Sequence, residues 1–233
     1  MRYVITDNRI DKRCEAALVS RGFELIKLPC FSALQEPVSA HPDMLLFIGK
    51  GKLVCHESYF AFAEEQIKRI AEATGSEIVL SDEIVGEKYP SDVLFNAAPV
   101  GDKLICKKNA TSGLVLDLYS QKIIDVKQGY AKCSICTVGD NAIITADPSI
   151  AKAAKENGID VLKIEASHTR LDGYDCGFIG GASGADKDNV YFCGSIDLHP
   201  DVERIKDFCQ KHGKTAVSLS DEPLYDFGTL MFI

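Results

Sequence analysis

The chain lacks the features that would mark several large functional classes. It has no excess of positive charge: across 233 residues, 26 Lys and Arg stand against 34 Asp and Glu, giving a net charge of −8 and a pI near 5.2. Binding to nucleic acid or to an anionic membrane needs a basic patch, so neither is expected as the partner. No apolar run approaches the length of a membrane span, and Met1 leads directly into strand-like sequence without a basic n-region and an apolar h-region, which places the chain in the cytosol. Tryptophan is absent, with no functional consequence. A second Cys-x-x-Cys pair to partner Cys133 and Cys136 is also absent, and on a strand those two side chains point to opposite faces, so no metal is expected. Gly177, Gly180, Gly181 and Gly184 precede a strand and not a helix, so a dinucleotide fingerprint fails on context. Gly213–Lys214–Thr215 has no upstream glycine of a phosphate loop. No cofactor is implied.

What is present is a repeat. In Asn141–Ile164, a β-branched apolar run (Ala142–Thr145) is followed by Asp147 as N-cap, Pro148 at the first helical position, an apolar stripe of Ile150, Ala153 and Ala154, Gly158 as the C-terminal stop and a second strand at Val161–Ile164. Such a β-α-β unit cannot bury its own stripe and needs neighbours. Copies align on the small residue ending the first strand: Thr6, Cys55, Cys106, Thr145 and Cys193. Each copy has a returning strand and then a third strand, predicted at 43–48, 92–96, 133–138, 175–179 and 226–232. The expected organisation is one α/β domain over residues 1–233 with approximate repeats 1–48, 49–96, 97–138, 139–179 and 180–233. The terminal strand is expected to pair beside the first unit and remove the sheet edge. Nine cysteines in a cytosolic chain read as reduced thiols.

Five β-α-β repeats with this spacing resemble the pentein superfamily, the guanidino-group-modifying enzymes that include arginine deiminase, dimethylarginine hydrolase and the amidinotransferases. The segment GYDCGFIGGASG suggests an uncharacterised bacterial branch. The resemblance implies a pseudo-five-fold α/β propeller around a central channel. It also implies a Cys nucleophile near the closing strand, a His late in the fourth unit and carboxylates that hold the guanidinium. In this chain the closing stretch LYDFGTL has no Cys.

Candidate residues follow. Asp43, Asp92, Cys133, Asp175 and Asp226 open the predicted third strands and would ring one channel mouth, with Asn96 nearby; clustered carboxylates favour a guanidinium or ammonium ligand. The bland alternative is that each Asp caps a turn. His168 lies where the resemblance implies an acid/base, with Asp172 to orient it and Arg170 in the same loop, 165–174; a loop His is often only a surface residue. Cys133, Cys136 or Cys176 could replace the missing nucleophile, and Lys132 beside Cys133 would lower its pKa, although free Cys is usually a small buried hydrophobe. Cys55, Cys106 and Cys193 read as packing. Gly180, Gly181 and Ser183 could present N–H and hydroxyl groups to a carboxylate or oxyanion, or simply form a turn. The reading is a protein that binds a small polar or cationic molecule in its channel; the alternative is a hydrolase or amidinotransferase acting on a guanidine C–N bond through a displaced Cys and His168. A protein partner on one face of the ring is left open, and oligomeric state is not specified.

Overall fold

Helix stop signals and buried small residues shape a regularly repeating chain, seen in a computed structural model that describes residues 2–233. The first unit runs β1 (Arg2–Asp7), α1 (Lys12–Ser20), β2 (Phe23–Leu28), the short α2 (Pro42–Leu45) and β3 (Leu46–Gly49). The second runs β4 (Lys52–His56), α3 (Glu57–Phe62), α4 (Glu64–Thr74), β5 (Glu77–Ser81) and β6 (Ala98–Val100). The third has β7 (Lys103–Cys106), α5 (Gly113–Asp117), β8 (Ile123–Asp125) and β9 (Cys136–Gly139). The fourth has β10 (Ala142–Thr145), α6 (Pro148–Glu156), β11 (Asp160–Lys163) and β12 (Ser183–Ala185). The fifth has β13 (Asn189–Phe192), α7 (Val202–Lys211), β14 (Thr215–Ser218) and β15 (Met231–Phe232).

These strands form five three-stranded sheets, ordered β15-β1-β2, β3-β4-β5, β6-β7-β8, β9-β10-β11 and β12-β13-β14. In each, the central strand is parallel to the strand after its helix and antiparallel to the strand ending the preceding unit. Successive units therefore interlock, and the terminal β15 pairs with β1 through Val4↔Phe232 and Ile5↔Met231, as the need to remove an edge anticipates. The architecture is the pseudo-five-fold α/β propeller.

Local chemistry explains the helices. Asp147 accepts from the N–H groups of Ser149 and Ile150, both at 2.8 Å, with Pro148 at the first helical position. Gly158 follows with φ +76°, the left-handed stop. Ile67, Ile70 and Ala71 of α4, and Ile205, Phe208 and Cys209 of α7, are buried against their sheets. The anchor residues Thr6, Cys55, Cys106, Thr145 and Cys193 are all buried.

The third strands begin later than predicted. They open at Leu46, Ala98, Cys136, Ser183 and Met231, each preceded by a loop, turn or short helix that holds the predicted opening residues. Pro42 starts a helical turn, and Val93 and Phe95, 1% and 2% exposed, are buried from a loop, not from a strand. Hydrophobicity marks burial; in these segments it does not mark pairing. Residues 183–185, expected in a turn, pair with 190–192 instead.

Candidate functional site

Asp7, the last residue of β1, is 1% exposed and sits in a cavity of about 420 Å³. Arg9 pairs with it through Nε–Oδ1 at 3.0 Å and Nη2–Oδ2 at 2.7 Å, a two-pronged geometry that fixes the carboxylate. Arg9 is held in turn by the backbone oxygens of Glu36 (2.6 Å) and Pro37 (2.9 Å). Opposite lies Asp226, also buried, whose oxygens accept from the N–H groups of Phe178 and Gly228, each at 2.9 Å.

Between the two carboxylates stands His41, delivered by the turn before Pro42. Its Nε2 is 3.9 Å from Asp7 and its Nδ1 3.8 Å from Asp226, both beyond hydrogen-bond range, and Nδ1 has no partner. Burial lowers the His41 pKa to about 4, with Asp43 opposing the shift and Arg9 adding to it, so the ring is neutral near pH 7 and these contacts are not ion pairs. Burial, with Asp43 adding, raises Asp226 to about 7, against the pull of its two N–H donors and Lys132. A neutral imidazole thus faces a carboxyl that titrates near neutrality, the combination proton transfer requires.

Next to this floor a polar network fills the ring. Asn96 Oδ1 accepts from the N–H groups of Lys132 (2.8 Å) and Cys133 (3.3 Å), and its Nδ2 donates to the Asp43 carbonyl at 3.2 Å and to Cys133 Sγ at 3.0 Å. The Cys133 thiol donates to Asp43 Oδ2 at 3.2 Å, and Thr229 Oγ1 donates to the same oxygen at 2.7 Å. Lys132 Nζ donates to Thr229 Oγ1 at 3.3 Å.

Of the predicted ring, then, Asp43, Cys133, Asn96 and Asp226 converge and two members do not. Asp92 is buried elsewhere, accepting from Tyr130 Oη at 2.5 Å, and Asp175 is exposed, because both lie outside the strands that were expected to align them. The thiol expectation is reversed. Burial and the adjacent Asp43 and Asp226 push the Cys133 thiol well above its ordinary range, and Lys132, engaged with Thr229, does not offset them. Cys136 is pushed up to about 11 by burial. We expect 2-chloroacetamidine at neutral pH to leave both unmodified, checked by peptide mass spectrometry; rapid modification of Cys133 would contradict this burial argument.

His168 is not paired with Asp172. Its Nε2 lies 3.5 Å from Glu165 and its ring is 4.9 Å from that of His199, in a separate cavity of about 200 Å³ that Cys176 lines and Asp172 does not. Arg170 and Asp172 instead line the larger cavity, where residue 170 bridges to 225 and the Asp226 N–H donates to the Arg170 carbonyl at 2.9 Å. Gly181 serves through backbone: its N–H donates to the Cys133 carbonyl at 2.8 Å and its carbonyl accepts from Thr229 at 2.9 Å. Gly180 offers its carbonyl to Thr229 Oγ1 at 3.1 Å and to Ser183 Oγ at 3.4 Å, so Ser183 faces the interior and not the cavity. Among the described residues, no group of three or more His, Cys, Asp or Glu side chains is placed to hold a metal, and no helix is long and apolar enough to cross a membrane.

Sequence reading missed Asp7, Arg9 and His41. Asp7 follows the repeat anchor Thr6 immediately, a signal that comparison of the copies could have exposed. His41 lies in residues 29–42, a Pro- and Ser-rich connection without periodicity that reads from the sequence as a surface loop.

Five interlocked sheets around a buried polar centre define a pentein-type fold, and solved structures agree in fold. Dimethylarginine dimethylaminohydrolase from Pseudomonas aeruginosa, in a complex with citrulline, superposes with a TM-score of 0.59 at 10% identity over 94% of this chain and 92% of that one. An amidinotransferase from Microseira wollei, of the saxitoxin biosynthetic pathway, gives 0.56 at 9% identity over 88% and 72%. A cyanobacterial arginine dihydrolase gives 0.52 at 11% identity over 95% of this chain and 36% of that one. At such identities the likeness is one of fold. Residues 5–231 match the model of a family of unknown function, DUF6873, and the chain belongs to that family. Comparison with curated proteins finds no match.

Proposed function

We propose that this protein binds a small cation of the guanidinium or amidinium class in the 420 Å³ cavity, without a thiol nucleophile at its centre. The observation carrying this reading is Asp226: a carboxylate 1% exposed at the cavity wall, with two backbone N–H donors and no paired side-chain cation, facing the second carboxylate of Asp7. A bound cation favours the ionised form of Asp226 and offsets its burial. The polar channel ligands of the pentein resemblance support the same class.

Asp226→Asn is expected to weaken binding of such a cation by roughly thirtyfold or more, about 2 kcal/mol, measured by calorimetry with a panel of guanidino and amidino compounds. Protons compete for Asp226, so with a pKa of about 7 the affinity should fall roughly tenfold from pH 8 to pH 6. If no member of the panel binds, or if the variant binds all of them unchanged, the reading is wrong. The titration of Asp226 beside neutral His41 favours one second reading, hydrolysis of the guanidine C–N bond with these two groups moving protons. Release of ammonia, urea or a citrulline-type product from the same panel would select it.

A further inference from the structure

A third cavity, of about 220 Å³, shares no lining residue with the other two. Its walls come from the third strands of units one, two and five and the turns before them: Phe47, Phe95 and Ala97 are buried, while Ile48 and Met231 are half-buried at the rim. Such walls alone would take any apolar molecule. Two residues make the cavity selective. Asp43 and Lys132 alone among the lining side chains carry oxygen or nitrogen, and Thr229 ties them together, its Oγ1 accepting from Lys132 Nζ at 3.3 Å and donating to Asp43 Oδ2 at 2.7 Å. Oδ2 also accepts from the Cys133 thiol at 3.2 Å, so its needs are met. Oδ1 accepts from no group of the protein, although Asp43 is only 1% exposed. Lys132 Nζ in turn has three N–H bonds to give and, among the described residues, Thr229 as its one acceptor. A buried acceptor without a donor thus stands beside a donor with protons to spare. A ligand group that carries a donor next to an acceptor completes both. An amine or amidinium offers donors alone and turns some of them on Lys132; a carboxylate offers acceptors alone and turns one of them on Asp43. A primary amide offers both at no net charge, its N–H for Asp43 and its carbonyl for Lys132.

We propose that this cavity is a second binding site, which takes a small neutral primary amide on an aromatic or branched apolar body. The size suits it: a cavity of roughly 150 Å³ holds a benzene ring, so 220 Å³ leaves room for the amide beyond the ring. The chemistry differs from that of the 420 Å³ cavity, where Asp7 faces Asp226; here a carboxylate is balanced by a lysine. The site stands on its own residues and holds whatever occupies the larger cavity.

The test uses three molecules of one shape, benzamide, benzamidine and benzoate, added in turn to the intact protein near pH 7. Methionine methyl groups are isotope-labelled, and the Met231 signal, assigned by its loss in Met231→Leu, is followed by NMR. Met231 lines this cavity and neither of the others, so its signal separates this site from a cation bound in the larger cavity. Benzamide is expected to shift the signal to saturation. Benzamidine and benzoate should need concentrations roughly tenfold higher or more, because each leaves a buried group facing its own kind. Lys132→Met, which keeps the apolar stem, should weaken benzamide by a similar factor. No shift with benzamide overturns the proposal. So does an equal response to all three, which would mean that the ring alone is bound, and so does unchanged benzamide binding by a folded Lys132→Met. If that variant does not fold, the three compounds on the parent protein decide it.

Discussion

Replacing His41 with Gln is expected to make stability fall by about 3 kcal/mol between pH 4 and pH 7, where the parent protein changes little. Asp226 has a folded pKa of about 7 against an ordinary 3.8. Between those values the folded state holds a proton that the unfolded state has lost, so stability decreases as pH rises. His41, lowered from 6.5 to about 4, works in the opposite sense: between pH 4 and 6.5 the unfolded state holds the extra proton, so stability increases as pH rises. Each contributes about 1.4 kcal/mol per pH unit, and over the shared window they cancel. Removing the imidazole leaves the Asp226 slope alone. The loss of packing shifts the whole curve by a constant and does not alter its slope. Urea unfolding at four pH values from 4 to 7 measures it; parallel curves for parent and variant would show that His41 does not titrate with folding.

The second large effect concerns the turn that carries Asp226. Gly228→Ala is expected to destabilise the protein by about 3 kcal/mol or more, against about 1 kcal/mol for Gly158→Ala. Both glycines have positive φ, +69° and +76°, so each substitution bears the strain of an alanine in the left-handed region. They differ in their surroundings. A methyl group at Gly158 meets open space, while at Gly228 it runs into the side chain and backbone of His41, itself buried and unable to retreat. The Gly228 N–H also donates to Asp226, and its carbonyl accepts from Asp43 at 3.2 Å, so a shift here displaces both carboxylates. Chemical denaturation of the two variants side by side provides the comparison, and equal losses would mean that the packing of Gly228 against His41 contributes nothing. Cation binding by whatever fraction of Gly228→Ala folds should also be weaker.

How far the sequence carries a reader differs between the fold and the site. The repeat could be found because its signals are local. The Asp147–Pro148 start, the Gly158 stop, the α6 and α7 stripes and the small buried anchors such as Cys106 and Thr145 each depend on neighbours within a few residues. The third strands were misplaced by three to eight residues, because Val93 and Phe95 are as apolar as strand residues while being buried from a loop. That displacement scattered the predicted ring: Asp43 and Asp226 stayed in it, Asp175 fell on the surface, and Asp92 found Tyr130. His168 matched the position implied by the resemblance but faces another cavity.

The sequence by itself determined the number of units, the helices with their caps, the closing pair of β15 with β1, and the acidic balance of the chain. Only the tertiary structure decided the chemistry. Closing the ring brings Asp7, His41 and Asp226, from opposite ends of the chain, onto one cavity. It also buries them, and burial sets which groups carry a proton near neutral pH. Periodicity records which face of an element is covered. It holds no information on which distant side chain covers it, and so on which carboxyl is pushed up to about 7.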